Sequence, residues 1–549
     1  MITFDDLIPA QQEVADLTVA TALVLGGAGV GKTTAALWAA RRDLTDRGVR
    51  DRPIPGGRVL FVTFSRTAVA QIRSRAGGVL AGLEDAVEIL TFHGFAYRLL
   101  CGFGRYVGMD GLPTLLGEAR KKLETSVPGG TRMTYDQLLP QALRLMETPG
   151  PVSDLLASRW RLVICDEFQD TDDVEWRLLQ FLGQRARLLL LADPNQMIYG
   201  FKDGVSDARL DAARVRPGIV ERTLPPGSHR DPTQVIPDAA AEIRWRRFDT
   251  APVRAAAEGA RLIVRPNVPD DDDDRAGTIA SEVARLQADG HRTIGIYAKT
   301  NSDAAGLSAA LTDRGVDHVP IGFSEAYGEA LEAMLMMVEY PVSKATWADV
   351  RTALATMLTA TVRSTSAPTV AVALHHGTAL PGALDPRLAR LKEALDTADD
   401  VEGAASASAG AWEGLGFTTG RRAWRRAART FGSLVNRARM DSVDPLGRLR
   451  RSVEGVRNAS FVELDAGDTG AIQLMNFSQT KGREADAVIL SYSSGDWYGP
   501  GAAEPFDEAS RLLYVSMTRA RHEVVVMLPP SPHALVRPFL AYVGIPAAD

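Results

Sequence analysis

Short β-branched or leucine-rich runs alternate along the chain with stretches whose apolar residues recur at helical spacing. Ala22–Leu25, Arg58–Phe64, Val87–Leu90, Leu162–Asp166 and Arg187–Ala192 predict strands, and so do Gly218–Thr223, Arg261–Val264, Thr293–Ala298, Ala471–Asn476, Ala487–Leu490 and Glu523–Met527. Segments between them, such as Thr33–Asp46 and Thr67–Arg75, carry the helix period. Strand–helix alternation predicts α/β architecture, with parallel sheets covered by helices on both faces. Eleven strands split by a long helical region predict two such lobes. Two regions break the alternation. Residues 102–159 read as helical with Gly/Pro punctuation at Pro128–Gly130 and Pro149–Pro151, and residues 324–456 read as an Ala-, Leu- and Arg-rich helical insertion. The acidic run Asp270–Asp274 reads as a solvated loop or helix start, because five adjacent carboxylates repel and lack the spacing of metal ligands.

The length of 549 residues allows three or four domains, or two large ones with insertions. With 45% hydrophobic and 24% charged residues, the chain is not disordered, collagen-like or a disulfide scaffold. No apolar run approaches the length of about 18 residues that a membrane span needs. Met1–Asp6 carries two acids and no basic segment, so no signal peptide is expected there. Two cysteines, Cys101 and Cys165, fit a reducing compartment, and a cytoplasmic location is expected. The net charge is −6, so any nucleic-acid contact must rest on a local positive field. Only eight of the 62 basic residues are lysines. Where one persists, a compact ammonium can be wanted that a guanidinium does not replace.

The chemistry starts at Gly26-Gly27-Ala28-Gly29-Val30-Gly31-Lys32-Thr33-Thr34, which follows a predicted strand and opens a helix. It fits G-x-x-x-x-G-K-[ST], in which a glycine-rich backbone curls its N–H groups inward around phosphate oxygens. The helix N-terminus adds positive potential. Lys32 is expected to reach the β- and γ-phosphates and Thr33 to offer a hydroxyl to Mg2+. The second element is Leu162–Asp166 followed by Glu167, an apolar strand ending in acids where ligands bind in α/β sheets. Asp166 is expected to hold Mg2+, and Glu167 to orient and deprotonate the attacking water. ATP and Mg2+ are therefore the expected cofactors.

Asp166-Glu167-Phe168-Gln169-Asp170-Thr171 resembles the acidic motif of the UvrD/Rep-like superfamily 1 helicases. Other segments resemble that family's motifs in order: Val62–Ala68, Thr91–Ala96, Ala192–Phe201, Met475–Asp486 and Leu512–Arg521. The resemblance implies a P-loop NTPase fold of two RecA-like lobes with helical insertions. It places residues 1–100 and 159–217 in the first lobe, 101–158 in a reduced insertion, 218–323 and 457–549 in the second lobe, and 324–456 in a second insertion. It further implies that Gln11 reads adenine, His229 stacks on it, Glu484 holds the ribose and Gln196 senses the γ-phosphate. Arg519 and Arg230 become the arginines that reach the phosphates across the cleft. Phe64, Arg66, Phe92, His93, Tyr199 and Phe201 become the expected DNA contacts, with Arg73 and Arg98 as further cations and Phe201 the foremost stacking candidate.

The chain departs from the family pattern at four positions. His229 stands for tyrosine, Phe201 for tryptophan, Ser478 for histidine and Ser510 for arginine. The reading that follows is an ATP-dependent helicase or translocase on single-stranded or tailed duplex DNA. It is expected to move 3′ to 5′ in repair or recombination, with no membrane role. The alternative is an ATP-driven motor or gating subunit of a nuclease or phage-defence assembly, with little unwinding of its own.

Overall fold

The computed structural model describes residues 3–46, 52–53, 57–123, 132–200, 204–320, 325–342, 345–362, 366–398, 400–438, 444–462, 470–496 and 506–545. The chain divides into two compact units, one of residues 1–95, 143–322 and 466–549, the other of residues 96–142 and 323–465.

The first unit is built on two six-stranded sheets, and every strand pairing within them is parallel. The first sheet contains β1 (Thr21–Leu25), β2 (Val59–Thr63), β3 (Val87–Thr91), β4 (Leu162–Cys165), β5 (Arg187–Ala192) and β6 (Ile219–Thr223), in the spatial order β6-β1-β5-β4-β2-β3. The second contains β7 (Leu262–Arg265), β8 (Ile294–Ala298), β9 (Val319–Pro320), β10 (Ile472–Asn476), β11 (Ala485–Ser491) and β12 (Ala520–Met527), in the order β7-β12-β11-β8-β10-β9. The central strands β2, β4 and β8 are buried along their whole length. That is why they read as continuous apolar runs rather than as an alternating pattern.

All eleven predicted strands are present, and the α/β class with two parallel-sheet lobes holds. One lobe assignment needs correction. The strand predicted at residues 218–223 was placed in the second lobe, but β6 pairs with β1, with Leu25 opposite Thr223. The motif pattern marks where the functional loop lies, whereas backbone pairing decides the sheet. β6 covers an edge of the first sheet, and its last three residues are exposed. The twelfth strand, β9, escaped the sequence reading because two residues carry no periodicity. Two small strand pairs, Thr45–Asp46 with Arg52–Pro53 and Thr114–Leu116 with Arg132–Thr134, also went unread.

Residues 143–158, read from sequence as part of the first insertion, lie in the unit with the two sheets. The acidic run behaves as expected. Asp271 caps the helix Asp272–Ala288 by accepting from the backbone N–H of Asp273 at 3.0 Å and of Asp274 at 3.3 Å. Carboxylates in a first helical turn also complement the helix dipole.

In the second unit the described residues of the long insertion form seven helices, from Glu325–Glu339 to Pro445–Val462. Their core centres on Trp412 and Trp424, whose rings stack at 5.1 Å with an 18° interplanar angle. Both indole N–H groups donate to backbone carbonyls, those of Thr419 and Ala409. Two ion pairs join distant helices of this unit, Arg457 with Glu329 at 3.0 Å and Arg450 with Glu339 at 2.6 Å. Because Trp424 is 1% exposed, Trp424→Ala is expected to destabilise this unit by about 3–5 kcal/mol. Urea unfolding followed by far-UV circular dichroism measures that loss, and a shift within experimental error would refute the stacked core.

Candidate active site

The glycine-rich loop leaves β1 and curls into the helix Lys32–Leu44. Two of its glycines are required. Gly29 and Gly31 have φ of 77° and 85°, the left-handed region. A Cβ at Gly29 would lie 2.3 Å from Ser228 Oγ, and one at Gly31 would lie 2.3 Å from Gln11 Nε2. The close approach brings Gln11 and the loop Ser228–Asp231 against the cradle. Gln11 Nε2 donates to the Val30 carbonyl at 2.9 Å and lies 3.4 Å from His229 Nε2. The His229 backbone N–H donates to the Gly29 carbonyl at 2.9 Å. Lys32 Nζ donates to the carbonyls of Gly26 and Gly27. Ala28 and Val30 are buried in the loop, and Thr34 follows Thr33 in the first helical turn.

Asp166 follows β4 directly. Its Oδ2 accepts from Thr33 Oγ1 at 3.1 Å, so the hydroxyl and the carboxylate expected to share Mg2+ are adjacent. Hard oxygen donors of this kind suit Mg2+, which also retains water and phosphate oxygens. Burial, reinforced by the charge of Glu167, pushes the Asp166 carboxyl up to about 6. Glu167 shifts the other way. Burial raises it, but Lys481 and Lys32 outweigh that, and its carboxyl falls below the ordinary glutamate value. Two adjacent acids are thus driven apart by their surroundings. Glu167 also adopts a left-handed backbone, φ 60°, which turns its side chain away from the strand direction.

The second lobe supplies cations to this edge. Arg519, 3% exposed, donates through Nη2 to Gln196 Oε1 at 3.1 Å. Gln196 Nε2 donates to Asp193 Oδ2 at 2.7 Å, the Asp193 backbone N–H donates to Gln169 Oε1 at 3.0 Å, and Gln169 Nε2 donates to Glu167 Oε2 at 2.6 Å. An unbroken hydrogen-bonded chain therefore runs from Arg519 to Glu167. Burial, with the nearby Arg230 charge, lowers the Arg519 guanidinium to about 10. Arg230 Nη2 binds Glu484 Oε1 at 2.9 Å. Glu484 also accepts from Arg75 at 3.2 Å and Arg521 at 3.1 Å. Burial raises the Glu484 carboxyl, but these arginines outweigh it and hold the group at about 2. Tyr514, in the helix Asp507–Met517, accepts from the Ala28 backbone N–H at 3.4 Å.

Many of these residues line one cavity of about 880 Å3. Its walls include Gln11, the cradle from Gly27 to Thr34, Asp166, Glu167, Gln196, His229, Arg230, Glu484 and Arg519. The volume falls in the range of about 300–1,000 Å3 that small-molecule sites occupy.

The expected DNA contacts divide. Phe64 and Tyr199 are half-buried and stack with centroids 4.5 Å apart. Phe92 must be corrected: it is 1% exposed, packed in the core, with no face for a base. The apolar start of the helix Phe92–Phe103 needs that ring inside. His93 is half-buried, while Arg73 and Arg98 are exposed. The Arg66 side chain and the whole of Phe201 lie outside the described residues. Ser478 offers its carbonyl to Tyr199 Oη at 3.3 Å. Ser510 is buried, its hydroxyl accepting from Arg244 at 2.9 Å. Residues missed as functional are Gln169, Asp170, Asp193 and Lys481. All four sit inside segments already singled out, and Lys481 is also one of the eight lysines.

The fold and the cavity define a two-lobed P-loop nucleoside triphosphatase. Residues 7–125 and 114–214 match the family model described as the UvrD/REP helicase N-terminal domain. The chain is 25% identical to the ATP-dependent DNA helicase UvrD2 of Mycobacterium tuberculosis, over 91% of this chain and 75% of that protein. It is 26% identical to the RecBCD enzyme subunit RecB of Mycolicibacterium smegmatis, over 72% of this chain and 42% of that protein. Against the ATP-dependent DNA helicase UvrD1 of Mycobacterium bovis the values are 22%, 58% and 50%. The chain is similar to UvrD/Rep-like helicases over most of its length.

The depressed Glu484 carboxyl gives a signed expectation. A group whose folded value, about 2, lies below its ordinary 4.5 contributes stability above the upper value and loses it as pH falls towards the lower. Between pH of about 5.5 and 3.5, the wild-type chain should therefore lose more unfolding free energy than Glu484→Gln. Urea titrations at both pH values test this, and equal losses would reject the three-arginine clamp.

Proposed function

We propose that the chain couples ATP hydrolysis in this cavity to movement along single-stranded DNA in the 3′-to-5′ direction, opening duplex ahead of it in repair or recombination. The coarser statement, an ATP-hydrolysing DNA helicase, is supported by the similarity to the UvrD2 and UvrD1 helicases. The observation that carries the mechanism is the convergence of Lys32, Asp166 and Glu167 with Arg519 and Arg230 on one cavity.

In this reading the cradle N–H groups and Lys32 bind the β- and γ-phosphates. Gln11 and His229 flank the adenine, and Glu484 meets the ribose. Thr33 and Asp166 hold Mg2+, which when bound offsets phosphate charge. Glu167, low in pKa and fixed at Oε2, takes the proton of a water aimed at the γ-phosphorus. Arg519 and Arg230 stabilise the charge that gathers on the departing phosphoryl group. Both arginines come from elements outside the first sheet, so nucleotide binding draws on both lobes and release relaxes them. The half-buried Phe64–Tyr199 pair supplies a stacking surface for bases, an interaction of about 1–3 kcal/mol per base that tolerates any sequence.

Arg519→Ala is expected to lower the turnover of ATP in the presence of single-stranded DNA by about 10³–10⁵-fold. Glu167→Gln should lower it by about 10²–10⁴-fold with little effect on ATP binding. Phosphate-release assays and a fluorescent ATP analogue measure the two quantities. Direction is tested with duplexes carrying a single-stranded tail at either end. Unwinding only from a 5′ tail would reverse the polarity proposed here, and turnover indifferent to DNA would remove the motor.

A further inference from the structure

Lys481 occupies a junction that the scheme above does not use. Its ammonium is 4% exposed and comes from the turn after β10, in the second lobe. It binds Asp170, Glu167 Oε2 at 3.2 Å and the backbone carbonyl of Gln196 at 3.0 Å. All three acceptors lie at the carboxyl edge of the first sheet. An ammonium has three N–H donors, so this set leaves none spare. The same nitrogen lies 5.7 Å from the centre of the Tyr199 ring, within reach of a cation–π contact. Tyr199 in turn stacks on Phe64 and donates its hydroxyl to the Ser478 carbonyl.

The acids are arranged around this lysine. Asp170 is fully buried, and its Oδ1 has no hydrogen-bond partner among the described residues. Its burial is compensated chiefly through Lys481, with the backbone of Ile198 contributing. Glu167 is gripped at Oε2 by Gln169 and Lys481, which leaves Oε1 to meet water. One buried cation therefore binds Glu167 and lies close to the Tyr199 ring.

We propose that Lys481 is a positioning residue that transmits occupancy of the Phe64–Tyr199 face to Glu167, so that a strand stacked on those rings raises ATP turnover. The inference rests on the DNA-motor reading above. A base stacking on the pair fixes the Tyr199 ring, and the ring fixes the ammonium beneath it. With every donor committed, the ammonium cannot shift without moving Glu167 Oε2. Interiors packed at crystal-like density pass on such small displacements, and an error of about 1 Å at a reacting group can cost about 10²-fold in rate.

The test compares wild type, Lys481→Met, Lys481→Arg and Asp170→Asn as full-length chains. It reads steady-state ATP turnover with and without an oligo(dT) strand, and the ratio of the two. Lys481→Met should lower that ratio by about tenfold or more, with basal turnover falling less and the KM for ATP within about threefold of wild type. Lys481→Arg should recover part of the ratio, because the cation returns without the three-oxygen fit. Asp170→Asn keeps the shape and should lower the ratio in the same direction by a smaller factor. An unchanged ratio in Lys481→Met, or an equal fall of basal and stimulated turnover, overturns the relay. If Lys481→Met shows no cooperative thermal melt, unchanged ratios in both other variants overturn it. A wild-type ratio of one would instead sink the motor reading, and the relay with it.

Discussion

The carboxyl edge of the first sheet concentrates negative charge in a buried place, and every other feature of the site answers that fact. Asp166, Glu167, Asp170 and Asp193 all emerge within a few residues of the ends of β4 and β5. Four carboxylates so close, each mostly removed from water, would repel and protonate if left alone. The first lobe supplies Lys32, Thr33 and Gln169 against them, and the rest of the compensation comes from the second lobe through Lys481 and Arg519. The two sheets are thus bound by an electrostatic need as well as by packing. Burying ions carries a desolvation cost that only good geometry and full hydrogen bonding offset. Lys481 meets that condition with three oxygens, and Arg519 meets it with Val515, Gln196 and Thr518.

The same arrangement sorts the acids by role. Asp166 rises because it is buried beside another carboxylate, and a metal ion is the natural partner for a group in that position. Glu167 falls because two lysines face it, which keeps it ionised. Neighbouring residues of one loop acquire opposite tendencies from their surroundings, and the left-handed backbone at Glu167 separates their directions. Backbone strain at a functional residue is worth keeping only where the environment over-determines it, and here Gln169 and Lys481 do so.

How much of this could be read from the chain depended on the range of the interaction. Local patterns sufficed for the eleven strands, the cradle and the acids that follow β4, because each is written in consecutive residues. The helix start at Asp271 was legible for the same reason. What the sequence could not reveal is set by contacts across hundreds of positions. β6 joins β1 nearly 200 residues away, so a boundary drawn from motif order put it in the wrong lobe. Phe92 lies within a stretch resembling a DNA-contacting motif, yet burial makes its ring part of the core. Ser510, a departure at the level of motifs, turns out to serve Arg244 inside the second lobe, so it removes nothing from the cavity. Lys481 had two signals, its place in Met475–Asp486 and its survival as a lysine among arginines, but only the fold shows which three oxygens it serves.

The seam between the lobes carries polar contacts beside the apolar ones made by Ala28 and Ile198. Arg75 meets Glu484, Arg511 meets Asp207 at 2.9 Å, Lys481 meets Asp170, and Tyr514 meets the cradle backbone. An apolar seam of the same extent would hold the lobes in one position, since separating it exposes hydrocarbon to water at about 25 cal/mol per Å2. Ion pairs and hydrogen bonds can exchange partners with phosphate, ribose and water at far smaller cost, because water offers each group a substitute. Glu484 shows how this works. Three guanidiniums converge on its carboxylate, and a triphosphate entering the cavity would compete for Arg230 while leaving Arg75 and Arg521 in place. A nucleotide bound there would alter the balance of an existing cross-lobe clamp rather than build one from nothing.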